Sequence, residues 1–190
     1  MKLDKNIEPF RAAIESLNRL LKKHNYQGVI IGGVAVGLLG KPRFTADVDA
    51  VFLLSISDVP KFLESAKSEN IETRVNGIQE FAKRNRVLPL IHTPTDIEID
   101  ISMGIMPFEI ELVERASEKS FSTLSVRLPT PEDLIIMKAV AHRPKDLEDI
   151  RTIIDKNPDI DTKRIKKWVT DFSEVLEKDL WKEIEEILKG

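Results

Sequence analysis

The run Val29-Ile30-Ile31-Gly32-Gly33-Val34-Ala35-Val36-Gly37-Leu38-Leu39 carries no polar side chain over eleven residues and is closed by Gly40-Lys41-Pro42. Eleven residues are too few to cross a bilayer, which takes about 20. The run is apolar on every side, so it has to lie inside a folded core. Val29-Ile30-Ile31 reads as a short buried strand, the paired glycines as a turn, and Val34–Leu39 as a buried helix that Pro42 cannot continue. Strand, turn and helix buried in immediate succession call for an α/β core.

The remainder of the chain is large enough to build one. Its 190 residues are 42% hydrophobic and 32% charged, which suits one domain or one domain with a small appendage. With 29 basic against 32 acidic residues the net charge is −3, so no global basic field exists to hold a polyanion. The chain has no cysteine, which excludes disulfides, thiolate metal sites and cysteine nucleophiles. The segment MKLDKNIEPF lacks the apolar stretch of a signal peptide, and a cytoplasmic protein without membrane contact is expected.

Periodicity divides the sequence into an α/β half and a helical tail. Ile7, Phe10, Ile14, Leu17, Leu20 and Leu21 recur at helical spacing, predicting a helix over about 7–24. Asp47–Leu53 reads as a strand, and Asp58 as the cap of a helix running to about Ser68. Strands are expected at 87–91, 97–101 and 124–128, with helices at 78–84 and 108–116. From Thr130 onward helices are expected at 131–142, 145–156, 161–176 and 178–188. The predicted architecture is α/β: a small mixed sheet with packed helices over 1–129, then a helical region over 130–190 packed on it.

Two candidate carboxylates lie on the first long strand. Asp47 and Asp49 are two residues apart, so they share a face about 6.6 Å apart along the backbone. A like-charge pair beside Val48, Ala50, Val51 and Phe52 is costly without a cation, although a solvated strand end would relieve it equally. In Ile97-Glu98-Ile99-Asp100-Ile101-Ser102 the isoleucines take one face while Glu98, Asp100 and Ser102 take the other. If the two strands are neighbours, Asp100 joins Asp47 and Asp49. Three carboxylates form a hard-oxygen site suited to Mg²⁺ or Mn²⁺ rather than zinc. His24, His92 and His142 share no ligand spacing.

Gly32-Gly33 lies between a strand and a helix, where backbone N–H groups can face a phosphate, although two glycines also make a plain tight turn. Neither GxGxxG nor GK[ST] occurs. Arg43 and Thr45 precede the acids, and a guanidinium there suits either an ion pair or a triphosphate. Lys138 is the one charge in Leu134-Ile135-Ile136-Met137-Lys138-Ala139-Val140-Ala141, so it must snorkel or meet an anion. Lys138→Met keeps the apolar stem and is expected to give a protein at least as stable as the wild type.

The composite GG-x₉-R-x-T-x-D-x-D, running from Gly32 to Asp49, resembles the nucleotidyltransferase superfamily with the DNA polymerase β-like catalytic fold. Pro131-Glu132-Asp133-Leu134…Lys138…Ala141…Arg143-Pro144-Lys145-Asp146…Asp149-Ile150 is similar to the fourth motif of its abortive-infection type E toxin branch. The likeness covers about Val29 to Ile154. It implies an NTP-binding, Mg²⁺-dependent, toxin-like nucleotidyltransferase with Asp47 and Asp49 on the metal. Asp100 is the third acid, on a second metal or taking the proton of the attacking hydroxyl. Gly32, Gly33, Arg43 and Thr45 fall at the nucleotide. Lys138 falls at its phosphates, with Asp146 and Asp149 as base or as organisers of that lysine. An RNA acceptor such as a tRNA 3′ end and a cognate antitoxin are the implied partners. The rival readings are a small-molecule nucleotidyltransferase and a non-catalytic nucleotide-binding regulator of the same fold.

The remaining features read as bland. Lys163, Arg164, Lys166 and Lys167 read as a solvated face, as do Lys83, Arg84 and Arg86, with RNA backbone as the alternative. Trp168 and Trp181 read as core.

Overall fold

The computed structural model describes residues 5–189. They form two compact units. The first comprises the described residues up to Val34 together with Arg43–Pro129. The second comprises Ala35–Pro42 and the described residues from Thr130 onward.

The first unit opens with α1 (Arg11–Lys23), which buries Ala13, Ile14, Leu17, Leu20 and Leu21 along one face. Then follow β1 (Gly28–Ile31), α2 (Gly32–Leu39, whose first turn lies in this unit) and β2 (Asp47–Leu53). After these come α3 (Val59–Lys67), β3 (Ile71–Thr73), α4 (Ile78–Asn85), β4 (Val87–His92) and β5 (Ile97–Gly104). The unit ends with α5 (Pro107–Arg115), β6 (Ser117–Phe121) and β7 (Leu124–Leu128). The main sheet runs β1-β2-β5-β4-β3, and β6 and β7 form a separate hairpin. Among the described residues only β2 and β5 pair in parallel, and the other neighbouring pairs of this sheet are antiparallel. The sheet is therefore mixed, as the sequence predicts.

One face of that sheet is the core. Val48, Ala50, Leu88, Leu90, Ile99 and Ile101 are all 0% exposed, each worth about 1.5–3 kcal/mol where the side chain is Val, Leu or Ile. The alternate residues Asp47, Asp49, Glu98, Asp100 and Ser102 share the opposite, partly exposed face. Strand alternation thus separates core from carboxylates within one element.

Two local readings need correction. Asp58 precedes α3 but makes no side-chain bond to the helix; its carboxylate accepts from the Ser55 hydroxyl instead. Arg86 is no surface cation, because its guanidinium donates to the carbonyls of Leu54 and Met103.

The second unit contains the end of α2 and four further helices: α6 (Pro131–Ala141), α7 (Pro144–Lys156), α8 (Thr162–Leu176) and α9 (Trp181–Lys189). Thr130 caps α6 by accepting from the Asp133 N–H. The end of α2 is tied to α7, since Lys156 Nζ donates to the carbonyls of Leu38 and Gly40. A side chain at Gly40 would collide with Thr152 Oγ1 at 2.7 Å. Ile165, Val169, Leu180 and Ile184 are the buried apolar positions of α8, α9 and the turn between them. Trp168 and Trp181 are only half-buried, under the ammonium groups of Lys167 and Lys166, which corrects their reading as core. Arg164 likewise leaves the solvated cluster to pair with fully buried Asp133 at 2.7 Å. No helix among the described residues is long and apolar enough to cross a membrane.

Candidate active site

The parallel pairing of β2 with β5 aligns the acids. Asp47 stands opposite Glu98 and Asp49 opposite Asp100, two consecutive rungs on one face. Neighbouring strands lie about 4.8 Å apart, so four carboxylates share a small patch. Each is held differently. Asp47 accepts from the Thr45 hydroxyl at 2.9 Å. Thr45 is 9% exposed, which fixes that hydroxyl in the wall of the site.

The glycine turn sits directly against these groups. Gly32 has φ +65°, and a Cβ there would stand 1.8 Å from Asp49 Oδ2. A Cβ on Gly33 would stand 2.4 Å from Thr45 Oγ1. The pair therefore does more than reverse the chain: it lets the start of α2 approach the acids closely. Gly32→Ala is expected to cost about 1–2 kcal/mol for the left-handed backbone alone. Denaturant melts of the variant check this cost, and a wild-type midpoint would show that Gly32 needs neither its left-handed backbone nor the close approach to Asp49.

Arg74, just beyond β3, is a residue that the sequence reading missed. Its Nε donates to the Leu90 carbonyl at 2.8 Å, Nη1 lies 2.9 Å from Glu98 Oε2, and Nη2 pairs with Asp100 Oδ1. The guanidinium thus reaches across β4 to both acids of β5. Arg43 turns its Nη1 to the Phe44 carbonyl at 3.0 Å.

Among the described residues no three acid or histidine side chains converge into a ready metal cage. Asp100 is engaged by Arg74. The donor chemistry nevertheless suits a hard divalent cation, because every candidate ligand is a carboxylate oxygen.

Lys138, Asp146 and Asp149 form a cluster of their own in the second unit. Lys138 Nζ lies 3.0 Å from Asp146 Oδ1 and 3.1 Å from Asp149 Oδ2. All three side chains are at most 7% exposed. The lysine therefore meets anions and does not snorkel. Asp146 also accepts from the Arg143 backbone N–H and guanidinium. Burial pushes the Asp146 carboxyl up, but the bonds from Arg143 and Lys138 outweigh it and hold it at about 2. His142, after α6, lies 3.2 Å from Glu183.

A carboxyl held below its ordinary value of 3.8 stabilises the fold fully above that value, and loses this contribution as pH falls towards 2. The loss amounts to about 2 kcal/mol. Urea midpoints measured from pH 5 to pH 2 should fall more steeply in the wild type than in Asp146→Asn. Parallel profiles would show that Asp146 does not carry this acid sensitivity.

The family described as "Nucleotidyltransferase of unknown function (DUF6036)" matches residues 8–186. No curated protein matches the sequence. An antigenic nucleotidyltransferase-like protein from Paracoccidioides brasiliensis superposes with TM-score 0.54 at 16% identity, covering 96% of this chain and 93% of that one. The antibiotic-resistance factor ANT(2'')-Ia superposes with TM-score 0.57 at 11% identity, covering 86% and 91%. At such identities the likeness is one of fold.

Proposed function

The chain belongs to this nucleotidyltransferase family, and from that premise we propose that it moves a nucleotidyl group from an NTP to a hydroxyl acceptor in a Mg²⁺- or Mn²⁺-dependent reaction, the new bond to the α-phosphorus replacing the bond to the departing pyrophosphate. The observation that supports this most is the alignment of Asp49 with Asp100 across a parallel pair, beside a glycine turn that presses on Asp49. Asp47 and Asp49 hold the metal, and Thr45 orients Asp47. The bound ion supplies Lewis-acid stabilisation of charge on the phosphoryl oxygens. Asp100 takes the proton of the attacking hydroxyl or holds a second ion. The amides of Gly32 and Gly33, together with Arg43, face the triphosphate. The resemblance adds a phosphate contact for Lys138, organised by Asp146 and Asp149.

For the acceptor, the motif from Pro131 to Ile150 favours the toxin-like branch and an RNA such as a tRNA 3′ end, with a cognate antitoxin as protein partner. The net charge of −3 favours a second reading, a small-molecule acceptor. Incubation with each α-labelled NTP, total RNA and a panel of hydroxylated small molecules, with and without Mg²⁺, decides between them. Label in RNA that requires Mg²⁺ and Asp49 supports the toxin-like reading. Label only in the small-molecule fraction replaces it with the second. Label in neither overturns the activity.

A further inference from the structure

Four acids on two adjacent rungs need a counter-charge when no metal is bound, because like charges opposite one another destabilise a sheet. Arg74 supplies it. We infer that Arg74 is a built-in counter-cation that competes with the divalent metal for Asp100, and that Glu98 serves as the guanidinium's holding point and not as a metal ligand. This rests on the proposed metal role of Asp47 and Asp49.

The geometry distinguishes Arg74 from an ordinary surface ion pair, which holds two long side chains loosely and contributes little. The Arg74 backbone N–H donates to the Pro89 carbonyl at 2.9 Å and Nε to the Leu90 carbonyl at 2.8 Å. The side chain is 24% exposed. Backbone and Nε are thus both anchored on β4, and only the two terminal nitrogens are left to reach β5. There the planar fork divides, one nitrogen to each acid, a geometry that a lysine cannot reproduce.

The fork can also open one arm at a time. Asp100 shares its rung with Asp49, whereas Glu98, at 54% exposure, is the more solvated acid. When Asp100 turns to a cation beside Asp49, Nη1 can stay on Glu98 while Nε stays on Leu90. The guanidinium is then held at the rim of the site, where a polyphosphate would meet it. A divalent ion attracts a carboxylate about twice as strongly as a monovalent one at equal distance and screening, so the exchange favours the metal only once the metal is present. In its absence Arg74 keeps Asp100 compensated.

The test is direct metal binding, with no substrate and no turnover. Mn²⁺ is titrated into the full chain and free ion is followed by its EPR signal, with circular dichroism reporting the fold of each variant. Arg74→Met should tighten Mn²⁺ binding about tenfold over wild type and enlarge the Mn²⁺-induced rise in Tm. Arg74→Lys, which keeps one charge and loses the fork, should fall between the two and remain folded should Arg74→Met not fold. In the Arg74→Met background, Asp100→Asn should abolish the gain, whereas Glu98→Gln should leave it unchanged. Equal or weaker Mn²⁺ binding by the folded Arg74 variants overturns the competition while leaving the metal reading intact. Loss of the gain with Glu98→Gln overturns the holding role. Absence of Mn²⁺ binding in both wild type and Arg74 variants overturns the competition and the metal reading together.

Discussion

Asp49→Asn is expected to lower nucleotidyl transfer by more than about 10³-fold while leaving the fold intact. The variant keeps the shape of the side chain, so the close approach of Gly32 to Asp49 survives and no cavity opens. It removes the proposed anionic ligand beside Asp100, and with it charge stabilisation of several kcal/mol in the transition state. Single-turnover assays with labelled NTP, alongside thermal melts, separate the two effects. Wild-type turnover would take Asp49 out of the reaction. A variant that fails to fold would give the acid a structural role instead.

Lys138→Met carries the largest expected change in stability, a loss of about 3 kcal/mol. The sequence alone allows this substitution to be neutral or stabilising, on the premise that the ammonium snorkels to water. The structure replaces that premise: the ammonium lies between Asp146 and Asp149, both essentially buried. Removing it leaves buried carboxylates short of a partner, which is the costly way to break an interior ion pair. Asp146 keeps its Arg143 bonds, so the loss falls at the low end for such pairs. Lys138→Met combined with Asp149→Asn should recover much of the lost stability, because charge and counter-charge leave together. Urea unfolding of the two single variants and the double variant completes the cycle. A Lys138→Met protein as stable as wild type would show that the ammonium contributes nothing to the fold. NTP affinity measured on the same variants tests the phosphate contact that the resemblance implies for Lys138.

The elements legible in the sequence are those whose side-chain pattern matches their burial. Strand β2 runs from Asp47 to Leu53, as its apolar run predicts. The isoleucines of β5 face the core while its acids face away, as its alternation predicts. The helices of the second unit fall within a few residues of their expected bounds because proline, acids and apolar spacing mark them. Strands β3 and β6 leave no such trace. Ile71 is the one buried residue of β3 and Phe121 the one buried residue of β6, so pairing with a neighbour defines each strand, not its own hydrophobic pattern.

The site divides along the same line. The Asp-x-Asp pair and the glycine turn are local features of the sequence. That Gly32 packs on Asp49 and Gly33 on Thr45 depends on antiparallel pairing that sets Ile31 against Asp49. Arg74 is illegible for a stronger reason. Its partners Leu90, Glu98 and Asp100 lie 16 to 26 residues away across two strands. An arginine following Ile71-Glu72-Thr73 looks like any surface arginine until β4 lies beside it. Arg164 hides in a lysine-rich helix for the same reason, because its partner Asp133 lies 31 residues back on another helix.

Among the described residues the one parallel pairing in the sheet is also the one that assembles the proposed site. Strands β4 and β5 join through four residues, 93–96, and β3 adds to β4 nearby, so these pairings close short loops at a lower entropic cost. Asp49 and Asp100 are 100 − 49 = 51 residues apart, and their rung closes only when β2 docks on β5. That docking brings the carboxylates of the two strands together, so it runs against electrostatic repulsion. The nascent chain therefore carries harmless, separate acids until its longest-range strand pairing is complete. On the proposed roles of Asp49 and Asp100, competence for nucleotidyl transfer depends on the completion of that one pairing.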